Sequence, residues 1–154
     1  TFSVRTLEEA HALSALIALG AKDQDLVALG LSEILINGIE HGNLEIDFQT
    51  KKILKSNDCW AEEIQKRLSL AEYKEKRVSV IVKKEGGQYR IRVEDEGSGF
   101  EWNKFLELAP ERAFSPNGRG IALARMLGFG EIEYIGKGNT VEITFPSEEA
   151  IENH

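Results

Sequence analysis

Residues 78–95, VSVIVKKEGGQYRIRVED, decide the fold of this chain. Apolar and polar side chains alternate over 78–83 and again over 88–95, and the turn-forming sequence EGG at 85–87 separates the two runs. This pattern predicts a β-hairpin whose second strand ends at Asp95. Two neighbouring antiparallel strands are therefore expected in the middle of the chain.

Helical patterns precede this hairpin, and a second hairpin follows it. Thr6 and Asp23 are suitable N-caps for the two helices nearest the N-terminus. The other predicted elements are, in chain order, helices over 7–19, 23–42 and 59–75, an irregular stretch over 44–58, a loop over 101–117, a helix over 118–128, and strands over 131–136 and 140–146 that turn at 137–139. Helices first and hairpins later predict an α+β fold, a two-layer sandwich of an antiparallel or mixed sheet with helices on one face.

Composition excludes several classes of protein. The chain has 154 residues, 42% hydrophobic and 29% charged, as in folded globular proteins, and no apolar run approaches the ~20 residues of a transmembrane helix. A single cysteine, Cys59, excludes an internal disulfide, and the three histidines are too scattered to suggest a zinc site. We expect a cytoplasmic protein that makes no contact with membranes.

Charge is distributed unevenly. The 19 basic and 26 acidic residues give a net charge of −7, which argues against nucleic acid as a partner. Residues 51–77 hold eight basic and five acidic residues, a net of +3, so the remainder carries −10. We expect residues 1–146 to form one domain with an insertion at 44–77 and a tail at 147–154. The basic segment is either packing and solvated surface, which is the ordinary interpretation, or a surface that steers an acidic protein partner.

The predicted helix that ends near 42 carries a polar row. Glu33, Asn37 and His41, in EILINGIEHGN, recur at i, i+4 and i+8 beside an apolar stripe. A solvated helix flank is the ordinary interpretation of such a row. Asn37 favours a functional one, because asparagine is a poor helix former and its amide oxygen suits Mg²⁺.

Three later clusters also combine glycine with polar residues. VEDEGSGF at 93–100 places Asp95 at a strand end, followed by Gly97 and Gly99; it is either an acidic turn or a place where a ligand ring approaches the backbone. NGRGIALARML at 117–127 contains Gly118, Arg119 and Gly120; it is either a glycine-rich helix cap or an anion site. Thr140, in KGNTVEITF, either pairs across strands or supports a ligand pocket. Neither G-x-G-x-x-G nor a P-loop is present.

Together and in this order, the four clusters resemble the ATP-binding domain of the GHKL superfamily, which includes gyrase, heat-shock chaperone, histidine kinase and MutL ATPases. The resemblance covers residues 5–146. Within the superfamily, the E-x-x-x-N-x-x-x-H-G row and the short length are most similar to the anti-sigma-factor serine/threonine kinases. Residues 44–77 are longer than the connector of the smallest members, and Lys104 is the only lysine in the loop before the second glycine pair.

The resemblance implies ATP and Mg²⁺ as cofactors and gives the clusters their roles. It makes Asn37 the Mg²⁺ ligand and Glu33 the general base. The implied nucleotide-binding residues are Asp95 as the reader of adenine, Gly97 and Gly99 beneath the base, Gly118, Arg119 and Gly120 at the phosphates, and Thr140 beside Asp95.

The function expected from this resemblance is that of a regulatory protein kinase. It would phosphorylate an anti-sigma-factor antagonist, sequester a sigma factor, or do both in bacterial stress signalling. Three alternatives are a non-catalytic switch that binds ATP or ADP, a histidine-kinase catalytic domain, and an interaction module without nucleotide. We also expect helix 7–19 either to pack on its own core or to contribute to a homodimer contact.

Overall fold

The computed structural model describes residues 1–46, 48–97, 129–135 and 139–148. These residues form a five-stranded antiparallel sheet in the order β1-β2-β3-β5-β4. The strands are β1 (Phe2–Val4), β2 (Val78–Glu85), β3 (Gln88–Glu94), β4 (Glu131–Ile135) and β5 (Thr140–Pro146). The helices are α1 (Leu7–Ala18), α2 (Gln24–Asn37), α3 (Phe48–Ser56) and α4 (Trp60–Ser69), with a π-helical turn (Gly38–Asn43) directly after α2.

The two faces of the sheet differ in chemistry, which confirms the predicted two-layer α+β fold. Alternate strand residues are buried beneath the helices and belong to the core, as at Val80, Ile91 and Ile143. The opposite face carries ion pairs, with Arg92 Nη1 lying 3.0 Å from Glu142 Oε2. Alternation of apolar and charged residues is what a sheet with one covered face requires.

The hairpin that defined the fold forms as predicted. Glu85 lies opposite Gln88, and Val80 lies opposite Val93. Gly86 adopts a φ of +61° at the turn, a conformation that glycine reaches without steric cost. The register brings Asp95 to the end of β3, where the chain leaves the sheet.

The start of the helical layer is also as predicted. Thr6 and Glu9 form a capping box, in which the Glu9 N–H donates to Thr6 Oγ1 at 3.1 Å and the Thr6 N–H donates to Glu9 Oε1 at 3.1 Å. α1 and α2 then pack against each other over the sheet. No helix among the described residues is long and apolar enough to cross a membrane.

Two predictions about elements were wrong, and one strand was not predicted. Residues 44–58 are not irregular, because α3 occupies Phe48–Ser56. The helix predicted over 59–75 ends at Ser69 and is followed by turns. β1 was not predicted, since three residues give little periodicity and its partner, β2, lies more than 70 residues along the chain.

The helix predicted over 23–42 changes type within its last turn. α-Helical bonding ends at Asn37, and a π-helical turn continues to Asn43. The Leu44 N–H donates to the Ile39 carbonyl at 2.9 Å, five residues back. A π-turn rotates the following side chains relative to an α-helix, and such turns are frequent at functional sites.

Candidate functional site

A cavity lies where the end of α2 meets the ends of β3, β4 and β5. Its enclosed volume is small, about 10 Å³, which is close to the space that one water molecule needs. The described residues therefore outline a small recess and not a ring-sized pocket. Its lining residues are Ile34, Asn37, Gly38, Val93, Asp95, Tyr134, Asn139 and Val141.

Asp95 is the acid of this cavity. It is 8% exposed, its N–H donates to the Asn139 carbonyl at 2.9 Å, and its Oδ1 accepts the Gly97 N–H at 2.8 Å. Within the described part of the chain, the other carboxylate oxygen has no hydrogen-bond donor. Burial raises the pKa of Asp95 to about 6, against the lowering effects of the Gly97 N–H and of Lys76.

Two glycines allow the backbone to approach this acid closely. A Cβ added at Gly42 would lie 2.5 Å from Asp95 Oδ1 and 2.7 Å from Oδ2. A Cβ added at Gly97 would lie 2.9 Å from the Gly42 Cα. The π-turn thus packs directly against the Asp95 carboxylate. A side chain at Gly42 would displace that carboxylate, and one at Gly97 would displace the Gly42 backbone.

Asn37 faces the same cavity from the last position of α2. Its side chain is 8% exposed, and the described residues give its amide no hydrogen-bond partner. Its amide atoms are not among the fully buried atoms that lack a partner, so water can reach them and a ligand can replace that water. Asn37 is therefore placed as a ligand-binding residue would be.

The polar row read from the sequence is divided by the fold. Glu33 is exposed, one turn before Asn37. His41 is buried, with Nδ1 hydrogen-bonded to the Ile46 carbonyl oxygen. The interpretation of the row as a solvated flank is wrong for Asn37, which is buried. His41 is buried too, as expected of a packing residue near the end of the helix.

Other predicted site residues fall into two groups. Thr140 pairs with Glu94 in the register between β5 and β3, while its neighbours Asn139 and Val141 line the cavity. Four predicted site residues lie outside the described residues: Gly99, Gly118, Arg119 and Gly120. The predicted loop over 101–117 and the predicted helix over 118–128 lie outside them as well.

Sequence reasoning did not single out several lining residues. Asn139 directly precedes a predicted strand, and Tyr134 and Val141 follow from strand alternation once the covered face is known. Ile34 belongs to the apolar stripe that lies beside the polar row of the same helix. The signal for Asn139, Tyr134 and Val141 is their position at the turn end of the predicted second hairpin, which lies beside the end of the strand that carries Asp95.

The polar groups of this recess, though not its volume, match what an adenine base and a Mg²⁺ ion require. The open Asp95 oxygen can accept a hydrogen bond from an exocyclic amine, and the glycine contacts leave the backbone bare beside it. The unpartnered Asn37 amide offers a neutral oxygen of the kind Mg²⁺ accepts. Among the described residues, no three His, Cys, Asp or Glu side chains cluster to hold a metal.

Comparison with known proteins agrees with this geometry. The model of a family described as "Histidine kinase-like ATPase domain" matches residues 3–145. No curated protein matches the chain. The matched range contains the whole sheet except the first residue of β1 and the last residue of β5, and it includes Asn37 and Asp95.

Proposed function

We propose a specific activity for this chain, which belongs to the histidine kinase-like ATPase family. Membership supports ATP binding and a regulatory role for the domain. The proposal is that the protein is an ATP- and Mg²⁺-dependent serine/threonine protein kinase of the anti-sigma-factor type. Its substrate would be a small regulatory protein, an anti-sigma-factor antagonist, and a sigma factor would be a second protein that it sequesters.

One observation carries the nucleotide part of this proposal. Asp95 and Asn37 are both buried, both polar, and both line the same small cavity. The carboxylate has an unoccupied acceptor among the described residues, and the amide has no partner there. Both groups are therefore available to a ligand or to water.

Each residue of the site would have one task. Mg-ATP, when bound, supplies the phosphoryl group that a serine or threonine hydroxyl of the partner accepts, with ADP leaving. Asn37 would hold the metal, and Asp95 would fix the orientation of the base. Glu33, about 6 Å along the helix from Asn37, would accept the hydroxyl proton. Positioning and charge stabilisation are the main demands of this chemistry.

The basic segment supports a protein partner of acidic character. α3 contains Lys51, Lys52 and Lys55 and no acidic residue. Lys52 and Lys55 are exposed, and Ile53 beside them is 59% exposed. An apolar residue within a positive patch is a suitable contact for an acidic protein surface.

The decisive test measures transfer of labelled γ-phosphate from Mg-ATP to purified antagonist proteins encoded in the same genome. We expect phosphoserine or phosphothreonine on one of them, and no transfer when Mg²⁺ is chelated before ATP is added. Glu33→Gln should lower kcat by at least about 100-fold, the usual contribution of a general base, with unchanged ATP affinity. ATP binding without transfer to any antagonist would overturn the kinase assignment.

A non-catalytic switch is the second candidate, and the exposure of Glu33 favours it. The side chain is in solvent, whereas a general base is usually held against the reacting group. Such a protein would bind ATP or ADP and select its partner accordingly. Glu33→Gln would then change neither nucleotide affinity nor partner capture, which separates the two functions.

A further inference from the structure

A buried ion pair joins the inserted helices to the turn that follows α2. Glu40, in the π-turn, is 2% exposed, and its Oε1 lies 2.5 Å from Lys51 Nζ on α3. The same ammonium lies 5.0 Å from the centroid of the Trp60 ring at the start of α4, within reach of a cation–π interaction. One lysine therefore links the π-turn, α3 and α4.

The far side of the same π-turn contacts the nucleotide site. Gly42 packs against the Asp95 carboxylate, and Asn43 Oδ1 accepts the Glu96 N–H at 2.7 Å. The Ile46 N–H also donates to the Glu40 carbonyl at 2.9 Å, which closes the turn. A shift of Glu40 would consequently move the residues that hold Asp95 and Glu96.

We propose that Lys51 is a positioning residue for the nucleotide site and acts through Glu40. By neutralising Glu40 it holds the π-turn in the form that keeps Gly42 against Asp95. The insertion at 44–77 then contributes to the nucleotide site, because its Lys51 positions the π-turn. This inference rests on the proposed function, because its main readout is nucleotide affinity.

Removing the charge of Lys51 should cost more free energy than removing the charge of Glu40. Burial raises the pKa of Glu40, Lys51 and Lys55 lower it, and Glu33 raises it. Removing Lys51 leaves a buried carboxylate without its main counter-charge, which is costly. Removing the charge of Glu40 leaves a lysine that is already 23% exposed and can turn to solvent.

The experiment compares Mg-ATP affinity by calorimetry in five variants of the full chain. Lys51→Met should weaken binding by about tenfold, the low end of losses when a supporting partner of a ligand residue is removed. Lys51→Arg should restore affinity by keeping the charge, and Glu40→Gln alone should have a small effect. The double variant Glu40→Gln/Lys51→Met should bind nearly as the wild type does. Lys52→Met removes an equal charge from an exposed neighbouring position and should leave affinity unchanged.

A second readout needs no nucleotide. Carbon-detected NMR titration of the Asp95 carboxyl should give a lower pKa in Lys51→Met than in the wild type, because a displaced Gly42 admits water. Unchanged affinity and an unchanged Asp95 titration in Lys51→Met would overturn the proposal, as would a folded double variant that binds as weakly as the single one. If Lys51→Met does not fold, the affinity of the double variant for Mg-ATP is the test: near wild-type affinity supports the proposal, and weak binding overturns it. If the wild type binds no Mg-ATP, the proposed function fails and the Asp95 titration still tests Lys51.

Discussion

Asp95 is expected to reduce stability while it serves binding. Its pKa is raised from 3.8 to about 6 by burial, so the folded chain takes up the proton at a higher pH than the unfolded chain does. The free energy of unfolding should therefore rise as pH falls through about 6 and level off below about 4. At pH 7, Asp95→Asn should be more stable by up to about 3 kcal/mol.

The same substitution should weaken ATP binding. Loss of a charged hydrogen-bond acceptor costs about 1.5–3 kcal/mol, or roughly 10- to 150-fold in affinity. Urea denaturation at pH 7 and pH 5 measures the first effect, and calorimetry with Mg-ATP measures the second. Equal affinity in Asp95→Asn would remove the adenine assignment, and equal pH dependence in both proteins would show that Asp95 is not the titrating group.

At the scale of elements, the π-turn leaves no room for a side chain at Gly42. A Cβ at Gly42 would meet the Asp95 carboxylate at 2.5 Å. We expect Gly42→Ala to destabilise the fold by about 1–3 kcal/mol and to weaken nucleotide binding at least about tenfold. Gly86→Asn is the control, since Gly86 has a φ of +61° and open space around it and asparagine tolerates that conformation. A Gly42→Ala protein with wild-type affinity would contradict the close approach.

The N-terminus of α1 allows stability and binding to be separated. Thr6→Ala removes the capping box and should lower the free energy of unfolding by about 1 kcal/mol, measured by urea denaturation. Thr6→Ser keeps the hydroxyl and should recover most of the loss. Because the cap lies outside the cavity, Mg-ATP affinity should be the same in all three proteins. A loss of affinity in Thr6→Ala would mean that α1 influences the site.

At the scale of the whole molecule, the outer face of α1 and α2 bears on the homodimer prediction. Leu13 is buried, whereas Leu16 is 56% exposed and Leu29 is 57% exposed, so α1 packs on its own core and also leaves apolar surface outside. Leu19 and Leu26 are exposed as well. Such patches often mark interfaces. We expect concentration-dependent dimerisation in sedimentation experiments, reduced in Leu16→Lys/Leu29→Lys; a monomeric wild type at high concentration would contradict it.

Much of this molecule follows from periodicity and end signals. The alternation in 78–95 gave the central hairpin, and Thr6 gave the start of α1, because these patterns act over a few residues. α3 was missed because contacts with other elements stabilise it, such as the ion pair between Lys51 and Glu40 of the π-turn. β1 was missed because its pairing partner is remote in sequence.

The sequence by itself determined the α+β fold and drew attention to Asn37, Asp95 and their neighbouring glycines. Tertiary structure alone decided that Asn37 and Asp95 are buried in one cavity while Glu33 is exposed. It also decided that a π-turn, whose Glu40 pairs with Lys51, places Gly42 against the Asp95 carboxylate. The physical reason is that periodicity reports which side of an element is apolar. Burial of a polar group, and the shift in its pKa, depend on which distant segments pack against it.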